Sequence, residues 1–244
     1  MSWSDDEAAL RGAICRVARM AYDKEFITNV DGNFSARLGE RDVLITPAGA
    51  PKGFLEPEQI AKIDLEGRPI DAGLRPSTEV SMHLVAYRER PEMRAICHAH
   101  PRHAVAFTLA GLSLDLCVIP EVVVTIGTIP TAPYGTPGTE ELPESLRSLI
   151  RCSDVVLLER HGALTIGTSL IDAYRKLEVI EHTATILYYA RTLGGVKELT
   201  TEQVQKLLDT REKLNIRTMN TICSHCGQPM QSHDPQAHQA RHGA

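Results

Sequence analysis

The run Ile96-Cys-His-Ala-His-Pro101 constrains this chain more than any other stretch. Met93–His100 is short, mostly apolar and closed by Pro101, which predicts a buried strand. Alternate side chains leave a strand on the same face, so His98 and His100 point one way, about 6–7 Å apart along the backbone. Two imidazoles placed like that can hold one transition metal. The alternative is a pair of core histidines satisfied by hydrogen bonds. A same-face pair at a strand end, with a helix start directly behind it, favours the metal.

Composition narrows the partners. The 244 residues are 43% hydrophobic and 23% charged, values ordinary for a soluble globular protein of one large domain or two small ones. A net charge of -5 with no basic block argues against nucleic acid and membrane surfaces as partners. No stretch is long enough to span a bilayer, and the start carries Asp5, Asp6 and Glu7 in place of an apolar signal core. The expectation is a cytoplasmic protein. Cys15, Cys97, Cys117 and Cys152 sit in apolar settings and read as reduced small hydrophobes, which fits that compartment.

Along the chain, Ser4 and Glu7 form a capping box ahead of a first amphipathic helix. Phe34–Leu38 and Val43–Ile45 read as a hairpin, followed by a loop of small residues and prolines from Thr46 to Pro51. Pro76-Ser-Thr-Glu79 precedes a helix from about Val80 to Arg88. Ser77 or Thr78 can cap it, and its N-terminus offers free N–H groups to an anion. Glu79 in the first turn is either a dipole-stabilising acid or a functional one. Leu114–Val118 and Val122–Ile126 read as strands and Leu142–Ile150 as a helix. Val155–Leu158 and Leu164–Ile166 read as paired strands, with His161 between them as a third candidate ligand. Ser169 and Asp172 cap the longest helix, and a last helix runs from about Thr201 to Asn215. Strands bunched centrally among helices predict a three-layer αβα fold with a mainly antiparallel sheet. No Gly-x-Gly-x-x-Gly follows a strand, which argues against a dinucleotide fold.

Five motifs then fall in a familiar order: Gly32-Asn-Phe-Ser35, Ile45-Thr-Pro-Ala-Gly49, Pro76-Ser-Thr-Glu79, His98-Ala-His100 and Arg160-His-Gly-Ala163. Their order and spacing resemble the class II aldolase/adducin family. The resemblance implies a homotetramer whose zinc is held by His98, His100 and His161. It implies that Glu79 is the acid/base carboxylate and can also touch the metal. It further implies that a phosphorylated small-molecule substrate is held by Asn33, Gly49, Ser77 and Thr78, a loop and a helix N-terminus without any Lys or Arg. The implied reaction is reversible retro-aldol cleavage of a ketose 1-phosphate to dihydroxyacetone phosphate and an aldehyde. A ribulose-phosphate-type 4-epimerase, a dehydratase and a decarboxylase remain open as relatives with the same triad. A non-enzymatic, adducin-like module is disfavoured, because the three histidines and Glu79 are all present. Ala48 replaces a threonine of the family's aldolases, Ile119 a tyrosine that donates a second proton, and Pro137 an aromatic of the aldehyde pocket. Glu121 is a candidate replacement for that tyrosine, or a surface carboxylate.

Beyond a catalytic domain at 1–220, residues 221–244 change character. Cys223, Cys226, His238 and His242 follow the spacing Cys-x2-Cys-x11-His-x3-His, which approximates a small zinc knuckle. Pro229 and Pro235 interrupt any helix there, so the segment reads as either a second metal site or a polar tail.

Overall fold

The computed structural model describes residues 6–216. Ser4, Cys223, Cys226, His238 and His242 lie outside the described residues. The helix expected to start at a capping box has Asp6 as its N-cap: the Asp6 carboxylate accepts the N–H groups of Ala8 and Ala9 at 3.0 and 3.3 Å.

The sheet is built from β1 (Asn33–Leu38), β2 (Asp42–Ile45), β3 (Ala61–Asp64), β4 (Ala95–Ala99), β5 (Thr131–Ala132), β6 (Val155–Leu158) and β7 (Gly162–Gly167), in the spatial order β3-β2-β1-β4-β7-β6-β5. Every neighbouring pair is antiparallel except β5 with β6. All residues of β4, β6 and β7 are buried, as strands covered on both faces must be.

Alternation along the strands feeds two cores. Phe34, Ala36, Cys97 and Ala163 pack with α1 (Glu7–Asp23), α3 (Arg102–Leu109) and α6 (Leu170–Thr192). Ile96, Leu164 and Ile166 belong to the other core, with α2 (Val80–Glu89) and α5 (Glu141–Ile150). The expected three-layer αβα arrangement is the observed one. His98 lies two residues from Ile96, and Asn33 and Ser35 alternate with Phe34, so all three face α2.

Leu114–Val118 has no regular structure, and Val122–Thr125 belongs to α4 (Pro120–Thr125) rather than a strand. A short β-branched run has no decisive periodicity, and the helix-start signal was Pro120 at the first position. Val123 packs under α7 (Thr201–Lys213) through Val204, contacts that a strand at this place would not make.

Candidate active site

The two cores meet the chemistry at the end of β4. His98 is fully buried, and its Nδ1–H donates to the Ala163 carbonyl on β7 at 3.0 Å. That bond fixes the tautomer and leaves the Nε2 lone pair free to bind a ligand. His100 follows the strand, tied by its backbone N–H to the Phe26 carbonyl at 2.8 Å. Its Nε2 is 3.0 Å from that of His98. His161 comes from the β6–β7 turn, where Arg160 takes a left-handed φ of 59° and its N–H donates to Thr108 Oγ1 at 3.0 Å. Gly162 is required next: a Cβ there would meet the Ala99 carbonyl at 2.4 Å and the His100 ring at 2.7 Å. The three rings lie 4.8–4.9 Å apart between centroids.

Glu79 is the N-cap residue of α2, not Ser77 or Thr78, and its side chain caps nothing. Ser77 Oγ instead accepts the Glu79 N–H at 3.3 Å. Released from the helix end, the carboxylate lies 3.1 Å from His161 Nε2 and 3.4 Å from His98 Nε2. It also accepts from Asn33 Nδ2 at 2.8 Å. Burial works against ionisation of Glu79, but positive charge on His98 and His161, where those rings carry a proton in place of a metal, outweighs it and holds the carboxyl well below the usual range. Burial, with His98 and His161 adding to it, pushes His100 down to about 3, so its ring is neutral.

Do these residues fit a metal? The ligand atoms of His98, His100 and His161 all lie within 4.8 Å of one another. The rings converge, one of them with its tautomer set for an Nε2 ligand, and a carboxylate faces them. The fit is good, and three histidines leave the open coordination position of a catalytic site.

Beside the rings is a cavity of about 200 Å³. The four residues expected to hold an anion, Asn33, Gly49, Ser77 and Thr78, line it together with Glu79, His100 and His161. So does Lys52, which sequence reasoning left out when it assigned the anion to neutral groups. Lys52 is 2% exposed, and its ammonium donates to the carbonyls of Val30 (3.0 Å) and Ala50 (2.8 Å). Among the described residues no carboxylate lies within ion-pair distance of it. Burial pulls its pKa down, with Asp31 and Glu79 opposing. Its signal in the sequence was a lysine three residues after Gly49, directly behind that loop. Ala48 lines the cavity, whereas Glu121 is exposed at the start of α4 and Ile119 and Pro137 are not among the lining residues.

A family model described as Class II Aldolase and Adducin N-terminal domain matches residues 12–188. The chain belongs to the class II aldolase and adducin family. Within it, an L-fuculose phosphate aldolase of Methanococcus vannielii is 35% identical over 170 residues, covering 69% of this chain and 90% of that protein. A 3-oxo-tetronate 4-phosphate decarboxylase of Escherichia coli K12 is 32% identical over 186 residues, covering 75% and 87%. Among solved structures, YgbL of Klebsiella pneumoniae has a TM-score of 0.75 at 31% identity, covering 82% of this chain and 98% of its own. The family's named activities thus include both aldol and decarboxylation chemistry on sugar-derived phosphates. No described helix is long and apolar enough to cross a membrane.

Proposed function

We propose that this class II aldolase family member is a zinc-dependent sugar-phosphate aldolase, reversibly cleaving a ketose 1-phosphate to dihydroxyacetone phosphate and an aldehyde. One observation carries the reading: Glu79 lines the anion-sized cavity and lies 3.1 and 3.4 Å from His161 and His98. His98, His100 and His161 would hold the zinc, which would supply Lewis-acid stabilisation of the negative charge that develops in the reaction. In the synthetic direction Glu79, held ionised, takes the proton from C3 of dihydroxyacetone phosphate. In cleavage the C4 hydroxyl gives up its proton and becomes the aldehyde carbonyl as the C3–C4 bond breaks; the electron pair stays with C3, and Glu79, protonated by that proton directly or through solvent, delivers one to C3. The substrate phosphate sits among Asn33, Gly49, Ser77 and Thr78, at the positive dipole end of α2, with the Lys52 ammonium as counter-charge. The assembly in this reading is a homotetramer, which would cover the exposed Tyr188, Tyr189 and Leu193 near the end of α6.

A second reading, decarboxylation of a 3-oxo acid phosphate, is supported by the E. coli relative at 32% identity. A panel of ketose 1-phosphates in a coupled assay for dihydroxyacetone phosphate tests the first reading. Release of carbon dioxide from a 3-oxo acid phosphate, with no dihydroxyacetone phosphate from any ketose, would replace it with the second.

A further inference from the structure

Behind Glu79 and Asn33 runs a ladder of buried polar side chains, His83, Ser35 and Tyr87, that neither the reaction nor the metal accounts for. Glu79, His83 and Tyr87 are four apart at the start and along α2, so they share one helix face at about 6 Å intervals. Asn33 and Ser35 are two apart on β1, about 6.6–6.8 Å apart on the face that α2 covers. The two repeats nearly match, and the side chains interleave. Asn33 Nδ2 is 2.8 Å from Glu79 Oε2, and Asn33 Oδ1 is hydrogen-bonded to His83 Nε2. His83 Nδ1 is 2.7 Å from Ser35 Oγ, which is 2.8 Å from the Tyr87 hydroxyl. His83, Ser35 and Tyr87 are all 0% exposed.

The donors in this ladder can be assigned from one end. Asn33 presents its nitrogen to the Glu79 carboxylate and its oxygen to His83. His83 Nε2 must then be the donor. Its ring is fully buried and neutral, so Nδ1 accepts, and the Ser35 hydroxyl supplies that proton. Ser35 Oγ is left to accept from Tyr87. Every bond points its hydrogen toward Glu79.

We propose that His83 is a positioning residue for Glu79, acting through Asn33. Its Nε2–H pins the Asn33 amide with the nitrogen toward the carboxylate, and Ser35 and Tyr87 hold the ring in that tautomer. Without the pin the amide can turn over and set its oxygen against the Glu79 oxygens, so the carboxylate leaves its place over C3. The inference rests on Glu79 being the acid/base.

His83→Gln and His83→Asn separate positioning from packing. A glutamine amide reaches the place of Nε2 and restores the donor to Asn33; an asparagine amide reaches only the place of Nδ1. Solvent-deuterium exchange into dihydroxyacetone phosphate is measured on the metal-loaded full chain, per bound metal. The Gln variant keeps kcat within about threefold, while the Asn variant loses about 10–100-fold in kcat with metal content unchanged. In an Asn33→Ala background, His83→Asn adds almost nothing. Equal kcat in the two His83 variants, or an undiminished His83→Asn loss in that background, overturns the proposal. If wild type exchanges nothing, the aldolase reading fails by itself, and the ladder is then read by ¹⁵N NMR of the imidazoles. The Nε2–H tautomer at His83 supports the positioning contact, and the Nδ1–H tautomer overturns it.

Discussion

Asn33 and His98 sit directly opposite one another across the β1–β4 ladder. One rung of the sheet therefore carries the amide that holds Glu79 Oε2 at 2.8 Å and an imidazole 3.4 Å from the same oxygen. A carboxylate reached by two side chains of a rigid central sheet is held at a fixed point, which is the preorganisation that the proposed proton transfer needs. The register of two strands thus becomes a property of the site.

His98→Ala removes the most deeply buried of the three proposed ligands and its bond to Ala163. Metal affinity falls at least ~100-fold by chelator competition, and the far-UV circular dichroism of the metal-free protein is kept. Full metal occupancy in the variant contradicts the ligand assignment.

Lys52→Met removes the cation lining the anion cavity. A lost hydrogen bond to a charged partner costs about 1.5–3 kcal/mol, so KM for a phosphorylated substrate rises roughly 10–100-fold with a smaller change in kcat. Equal KM in the two proteins would place the anion elsewhere.

Gly162→Ala drives a methyl group into the Ala99 carbonyl and the His100 ring. Backbone on a central strand cannot yield, so urea unfolding shows a loss of about 1–3 kcal/mol together with weaker metal binding. Unchanged stability and metal affinity would mean that β4 and β7 have room to part.

Much of this site was legible from local patterns. The same-face histidine pair follows from a period of two, and the strand, the turn at His161 and the caps of α6 follow from apolar runs and turn residues. The ladder was not legible, although both of its periods are present in the sequence. Which strand face meets which helix face is settled by packing, and only then do Asn33 and Ser35 fall against Glu79, His83 and Tyr87. Lys52 was missed for a related reason: a lysine is expected in solvent, and its burial depends on the carbonyls of Val30 and Ala50 turning toward it. The misreading of α4 came from β-branched residues outweighing a proline start signal.

Asp115 gives a pH test outside the site. It is largely buried, one carboxylate oxygen has no hydrogen-bond partner among the described residues, and burial raises its pKa to about 6 despite the Ile129 N–H. A carboxyl whose folded pKa exceeds its unfolded value stabilises the fold below about pH 4 and loses that contribution as pH rises through 6. Asp115→Asn therefore stabilises the protein at pH 8, by about 1–3 kcal/mol in chemical denaturation, and the gain shrinks toward zero near pH 4. A gain independent of pH would assign the effect to packing.

Glu79 decides the account. Glu79→Gln keeps a side chain of the same shape between the histidines and the cavity but can neither take nor return a proton. Wild type with its metal should exchange the C3 proton of dihydroxyacetone phosphate with solvent deuterium, a half-reaction that needs no aldehyde. The Gln variant, still folded and still binding metal through three histidines, loses that exchange by roughly 10²–10⁴-fold. Equal exchange rates in the two proteins would contradict the account and leave Glu79 no part in moving the proton.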